Sequence, residues 1–231
     1  NVKIILTIGF LMTLANAEKL RLKQADVLES KKVGLETVKH LQGNVQFEKG
    51  DIKLNCQKSV YKERKDIAFL FNQVKIFKND LILESDSIIF YSKKNKLESN
   101  GNPIIYDLDY KLVSDSLIYF TELDSGIALG NVELIQNDQK IKADRIEYVK
   151  NPGSEAISYV AIGNVEIIDS LRTATCGLAK YNDISEKTIL DRGPIIIDEQ
   201  RTIAGEQVVL QYNEKSLSRI LIPNNAKIFS S

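Results

Sequence analysis

The chain has 231 residues, 31 basic and 31 acidic, with a formal net charge of zero and 43% hydrophobic residues. The balance of charge excludes the basic face that a phosphate backbone requires. Ordinary hydrophobicity without a low-complexity tract excludes a disordered chain.

In chain order, the first element is a leader. Lys3 precedes an apolar stretch, Ile4 to Leu14, and Ala15-Asn16-Ala17 is a small-x-small cleavage site. The stretch is too short for a spanning helix. Residues 1–17 therefore read as an export signal cleaved after Ala17, with an N-terminal strand or retained anchor as the alternative. The first residue is Asn, so the signal is expected to be truncated at its start.

From residue 18 onward the chain repeats. A short signature recurs as Gly43-Asn44-Val45, Asn72-Gln73-Val74, Gly101-Asn102-Pro103, Gly130-Asn131-Val132 and Gly163-Asn164-Val165, with echoes at Arg192-Gly193-Pro194 and Asn224-Asn225-Ala226. The spacings are 29, 29, 29, 33, 29 and 32 residues. A fixed period of this size means one supersecondary unit stacked many times. Each repeat holds two polar breaks, such as Lys78-Asn79-Asp80 and Lys93-Lys94-Asn95-Lys96, whose composition is turn chemistry. The longer spacing places its extra residues in the turn at Asn151-Pro152-Gly153. Between the breaks lie runs rich in Ile, Val, Leu, Phe and Tyr, which is strand composition. Each repeat is thus expected to be two antiparallel strands and two turns.

Counting from the signature residue as zero, position four is apolar throughout: Phe47, Ile76, Ile105, Leu134, Ile167, Ile196 and Ile228. Position eleven gives Leu54, Leu83, Leu112, Ile141, Ala174 and Ile203. Position thirteen is small: Cys56, Ser85, Ser114, Ala143, Cys176 and Gly205. Position fourteen is acidic at Asp86, Asp115, Asp144 and Glu206, but not at Gln57 or Gly177. Positions sixteen and eighteen are mostly apolar again, as in Ile146 and Tyr148. Strand side chains alternate with period two, so eleven and sixteen share a face only if a residue is inserted between them. A bulge or bend is expected near position fourteen, with the signature marking the matching bend on the partner strand. Stacked corners make a folded sheet, two β-layers closing on a shared apolar interior. The registry just before each signature is less clean.

Leu22 to Leu28 matches the stretch around Ala143-Asp144, so the repetitive part starts inside a repeat, and it also ends inside one. The end strands are expected to be capping half-repeats, or the chain a piece of a longer protein. The missing cap favours the piece, or an edge meant to pair.

Several motifs exclude themselves. Cys56 and Cys176 occupy one slot four repeats apart, about 38 Å at about 4.8 Å per strand, far beyond disulfide reach. They are expected to stay free at tight corners. His40 stands alone, so no metal cluster forms, and it reads as a surface residue. No nucleophile elbow, P-loop or dinucleotide fingerprint occurs. The stacked aspartates are expected to cap their bends through backbone N–H groups rather than act as an acid–base pair. The Tyr61, Tyr119, Tyr148 and Tyr181 stripe is expected to be a strand-edge ladder rather than a sugar platform. No catalytic residue, cofactor or metal is expected.

Gly-Asn-Val corners, an export signal and the run Ala143-Asp144-Arg145-Ile146-Glu147-Tyr148 resemble the OstA/LptA family of lipopolysaccharide-transport proteins over roughly residues 19 to 231. The resemblance implies an all-β fold: an antiparallel meander folded into an open, V-shaped two-layer β-jellyroll, one domain over residues 18–231. It implies a periplasmic, non-enzymatic bridge that carries the acyl chains of lipopolysaccharide between inner and outer membranes. Implied partners are that glycolipid, other β-jellyrolls of the transport system joined by edge-strand stacking, and further copies of the chain. The trough lining is expected at Phe47, Leu54, Ile76, Leu83, Ile105, Leu112, Leu134, Ile141, Ile167, Ile196 and Ile203. Burying an acyl chain there gains about 0.8 kcal/mol per CH₂ before ordering costs. Two alternatives stand beside it. One is the periplasmic domain of the outer-membrane lipopolysaccharide translocon; the other is a structural or polysaccharide-binding β-repeat, which exposed outer aromatics would favour.

Overall fold

Every repeat folds as a hairpin whose strands bend sharply at the signature. The structure, a computed structural model, describes residues 18–108, 110–136, 138–150, 157–213 and 216–230. The expected export signal and the insertion at Asn151-Pro152-Gly153 lie outside these residues. The strands are β1 (Arg21–Gln24), β2 (Val27–Val33), β3 (Glu36–Lys49), β4 (Ile52–Lys62), β5 (Ile67–Lys78), β6 (Leu81–Tyr91), β7 (Lys96–Ser99), β8 (Ile104–Tyr106), β9 (Tyr110–Val113) and β10 (Ser116–Phe120). They continue as β11 (Ser125–Gln136), β12 (Gln139–Lys150), β13 (Ile157–Ile168), β14 (Arg172–Asn182), β15 (Lys187–Asp191), β16 (Ile195–Asp198), β17 (Arg201–Ala204), β18 (Gln207–Asn213), β19 (Ser216–Leu221) and β20 (Lys227–Ser230). Among the described residues one 3₁₀ turn, Ser92–Lys94, interrupts them.

All pairings are antiparallel, and they define two layers. The first runs β1-β3-β4-β5-β6-β8-β9-β11-β12-β13-β14-β16-β17-β20. The second runs β2-β3-β4-β5-β6-β7-β10-β11-β12-β13-β14-β15-β18-β19. Long strands such as β3, β4, β12 and β13 belong to both and cross the fold line. Elsewhere the crossing breaks the strand in two, as between β7 and β8 or β15 and β16. The fold is therefore the expected antiparallel meander in two layers, a repetitive β-jellyroll. Among the described residues, β1, β2, β19 and β20 each pair on one side only, so both layers are open at both ends.

The expected bulge is present at the corners that long strands cross. Register slips between Asn55 and Lys58 and between Lys142 and Arg145, spanning position fourteen. It slips again between Gln42 and Val45, Leu129 and Val132, and Ile162 and Val165, at the signatures. The inserted residue brings Leu54, Cys56, Ser59 and Tyr61 of β4 all to the buried side.

The chemistry of the corner differs from the expectation in one respect. The aspartate of one strand lies directly over the signature glycine of the next, and its carboxylate accepts from the signature asparagine side chain. Asn44 Nδ2 donates to Asp26 at 3.0 Å, Asn131 to Asp115 at 2.9 Å and Asn164 to Asp144 at 2.9 Å. The backbone N–H at these corners runs the other way: the aspartate's own N–H donates to the glycine carbonyl, as in Asp115 to Gly130 at 2.9 Å. The carboxylate thus clamps the neighbouring strand instead of capping its own bend, because the bulge turns it outward onto that neighbour. Small position-thirteen residues serve the same bulge from inside. The Cys56 and Cys176 thiols donate to the carbonyls two residues on, and Ser85 and Ser114 hydroxyls do likewise. Both cysteines are free and buried, as expected. Burial pushes the Cys56 thiol up to about 11, which keeps it an unreactive packing group.

Candidate functional site: the interior and its mouth

The two layers enclose one continuous apolar core. All eleven expected lining residues lie in it, from Phe47, Leu54 and Ile141, which are fully buried, to Ile167 and Ile203. They belong to the first layer and face the second. A further row of the second layer sits two residues before each signature: Leu41, Leu70, Ser99, Ala128, Ala161 and Leu190. That row is wholly buried, yet its identities change from Leu to Ser to Ala, and this hid it in the sequence. Of the tyrosine stripe, Tyr61, Tyr119 and Tyr148 are buried in the interior, where Tyr119 stacks on Tyr148 at 6.5 Å, while Tyr181 is half-buried at the mouth cleft. Those rings offer no outer sugar platform. His40 is exposed.

The V opens away from the corner line, between two rows of turns. Over the early repeats this mouth is bridged. Lys49 Nζ donates across it to the Ser92 carbonyl at 2.5 Å and to Asn95 Oδ1. One repeat on, Lys78 Nζ donates to the Thr121 carbonyl at 2.6 Å and to Asp124 Oδ1 at 2.5 Å. Lys49 also lies over the Phe90 ring, 5.8 Å from its centroid. Both lysines sit at position six of their repeats, and their acceptors are likewise 29 residues apart. In the sequence both lysines read only as members of polar turns, Glu48-Lys49-Gly50-Asp51 and Lys78-Asn79-Asp80. The signal missed was their position: lysine at 49 and 78, but Asp107, Gln136 and Asp169 thereafter.

Electrostatics at the bridge follow from its half-burial. Burial lowers the Lys49 pKa, against the opposing pull of Asp66, Glu122 and Glu18. Burial alone would raise the Asp124 carboxyl. Hydrogen bonds from Lys78 and Tyr119 outweigh it and hold that carboxyl below its usual value. Burial and the bond to Asp124 push the Tyr119 phenol far upward, so it stays a donor at every working pH. A carboxylate with a depressed folded pKa stabilises above its unfolded value, about 3.9, and loses that contribution as pH falls through the lower folded value. The urea midpoint should therefore drop as pH falls below about 4, and by less in an Asp124→Asn variant. An identical acid response in both proteins would show that the bridge does not titrate this way.

Farther along, the mouth opens. A cleft of about 460 Å³ lies between Gln136, Gln139, Asp169 and Arg172 of the first layer and Tyr181, Glu186, Tyr212 and Leu217 of the second. Its floor is apolar, formed by Ile167, Ala174, Ile196, Leu210 and Ile220. A smaller, more polar cleft beside Lys78, Asp107 and Tyr110 lies nearer the bridged part. Among the described residues no group of three or more His, Cys, Asp or Glu side chains is placed to hold a metal, and no helix is long and apolar enough to cross a membrane.

Fold and site together define a repetitive two-layer β-jellyroll with an apolar interior open along one side. Residues 111–216 match the family model described as LptA/(LptD N-terminal domain) LPS transport protein. The match over these residues agrees with the resemblance to the OstA/LptA family that the corner motifs carry. Among solved structures it is similar to LptH of Pseudomonas aeruginosa, the LptA-homologous periplasmic component of the lipopolysaccharide transport device. Identity is 12% and the TM-score 0.25, over 64% of this chain and 93% of that one. No curated protein matches the chain.

Proposed function

We infer that this chain is a periplasmic carrier of lipopolysaccharide, holding its acyl chains in the interior of the jellyroll without catalysis. The observation that carries this reading is the apolar interior shared by both layers and reached through an open cleft in the mouth. The family match supports it, since the model that fits residues 111–216 is that of lipopolysaccharide-transport domains. Phe47, Leu54, Ile76, Leu83, Ile105, Leu112, Leu134, Ile141, Ile167, Ile196 and Ile203 form the wall against which acyl chains would lie once the layers part. The unpaired edges at β1, β2, β19 and β20 support end-to-end stacking with other β-jellyrolls of the same system or with copies of this chain, which would lengthen the trough into a bridge between membranes. The burial of Tyr61, Tyr119 and Tyr148 speaks against a polysaccharide platform.

The test is binding of purified lipopolysaccharide to the purified chain, followed by co-elution on size exclusion. Intact lipopolysaccharide should co-elute, and its fully deacylated saccharide should neither bind nor compete. Binding of the deacylated form with equal affinity would overturn the reading.

A further inference from the structure

The chain as a whole is neutral, but charge is segregated along the row of turns on the second layer's side of the mouth. The first three turns of that row, with the end of β2 that leads into them, carry Lys31, Lys32, Arg64, Lys65, Lys93 and Lys94, all exposed. Two later turns of the row carry Glu122, Asp124, Asp183 and Glu186 instead. The acids of the basic turns are engaged elsewhere. Glu36 Oε1 accepts from the Arg64 backbone N–H at 2.7 Å, and Asp66 is buried and accepts from the Tyr61 hydroxyl at 2.6 Å. Glu63 pairs with Lys39 at 3.1 Å and Lys19 at 4.0 Å. Among the described residues none of the six exposed cations forms an ion pair; the pairs nearby take Lys19, Lys39 and Lys96.

Hydrogen bonds lace these three turns into one platform. The Glu63 N–H donates to the Thr37 carbonyl at 3.0 Å, the Ser92 N–H to the Asp66 carbonyl at 3.0 Å, and Lys93 Nζ to the Arg64 carbonyl at 2.9 Å. Successive turns lie two strands apart, about 10 Å at about 4.8 Å per strand. Val33 and Leu35 stand among the cations, 57% and 79% exposed. They border an open depression of about 430 Å³ that Arg64, Lys65 and Lys93 also line. Aliphatic tips ringed by unpaired ammonium and guanidinium groups suit an interface where phosphates lie beside hydrocarbon. A soluble polyanion, nucleic acid included, would satisfy the cations and leave the leucine in water.

We propose that this basic platform docks on the surface of a bilayer containing acidic phospholipids, with the Leu35 tip entering the headgroup layer and the surrounding cations held against lipid phosphates. Charge complementarity and the apolar tip together select that occupant. The inference does not rest on the carrier reading, since it concerns the outer surface of three turns and not the interior. The acidic turns of the later repeats are repelled by the same surface, so the protein binds by one end. Each cation strengthens the docking, and salt screens it.

The full chain is mixed with vesicles of phosphatidylcholine alone, or of phosphatidylcholine with an equal part of phosphatidylglycerol, and the bound fraction is read by flotation. Binding should be confined to the acidic vesicles and should fall as salt is raised. Removing two cations, Lys65→Gln with Lys94→Gln, should weaken it about 25-fold, or about fivefold per charge. The matched loss Lys180→Gln with Lys187→Gln, at two exposed lysines of later strands, should leave it almost unchanged. Because the chain has no tryptophan, Leu35→Trp reports on the tip, and Leu171→Trp, at an exposed turn of the other row, is its control. Emission should shift to the blue at position 35 and stay in place at position 171. Melting curves establish that each variant is folded. Equal binding to both kinds of vesicle, or an equal loss in the two double variants, would overturn the docking surface. Binding with no shift at position 35 would overturn the lipid surface as occupant and favour an acidic polypeptide, with polyglutamate as its probe. Failure to bind acidic vesicles, in a chain that still co-elutes with lipopolysaccharide, would overturn the docking and leave the carrier reading intact.

Discussion

Replacing Gly163 with alanine should destabilise the protein by about 2–4 kcal/mol, measured as the loss of unfolding free energy in urea. Two independent terms add. Gly163 has φ +76°, and placing an L-residue there costs roughly 1–2 kcal/mol. In addition, an alanine Cβ would lie 2.3 Å from Asp144 Oδ2, inside any real contact distance. The carboxylate must move, which breaks its bonds from Asn164 Nδ2 at 2.9 and 3.2 Å, and a lost hydrogen bond removes about 0.5–1.5 kcal/mol. Gly34 provides the control. Its φ is +61°, but a Cβ there meets nothing within 4 Å, so Gly34→Ala should show the backbone term alone. Equal losses at 34 and 163 would mean that the carboxylate over the corner contributes nothing. Because stability in stacked repeats is nearly a sum of local and neighbour terms, hydrogen exchange should localise the damage to β12, β13 and β14.

The same corner shows how far the sequence could be read. Period, strand count, the bulge at position fourteen and the inward rows at four and eleven were all legible, because each leaves the same residue type in the same slot. The purpose of the glycine was not, since reading repeats one beneath another separates residues that meet across strands. The pairing is visible once position fourteen is set against the following signature. Asp26, Asp86, Asp115 and Asp144 each face a glycine, at 43, 101, 130 and 163. Where position fourteen is Gln57, the signature opens with Asn72, whose Cβ then has no carboxylate above it. Where position fourteen is Gly177, the arrangement is inverted: Arg192 supplies the side chain, and a Cβ on Gly177 would lie 2.8 Å from the Arg192 Cβ. Each corner that holds a glycine has room for one side chain, contributed by one strand or the other. The lysine bridges were hidden for a different reason. Turn-flanking lysines are normally solvated, and nothing local distinguishes Lys49 and Lys78 from Lys62 or Lys150. Their partners lie 43 to 46 residues away across a fold that only the stacking creates.

Truncating Phe47 to alanine should remove about 3–5 kcal/mol, the range for a fully buried aromatic. Phe47 is entirely inaccessible, pairs in register with Leu22 on one side and Leu54 on the other, and meets the Tyr61 ring edge-on at 5.4 Å. The site sits beneath the mouth, between layers held together there by Lys49, so collapse to fill the void is restricted. Ile228 occupies the same slot in the last strand and is the comparison. It is 63% exposed because β20 pairs with β17 alone among the described residues. Ile228→Ala should cost the isolated chain almost nothing. The contrast also reports on edge stacking. A β-jellyroll or second copy added to β20 would cover Ile228 and Phe229, and the slot would then behave as its equivalents do inside the fold. Ile228→Ala should weaken such an assembly, read as a shift in the sedimentation-velocity dissociation midpoint, while leaving the monomer's unfolding curve in place. A substitution that destabilises the monomer as much as Phe47→Ala would show that β20 is already covered. One that alters neither monomer nor assembly would show that this edge is not where stacking occurs.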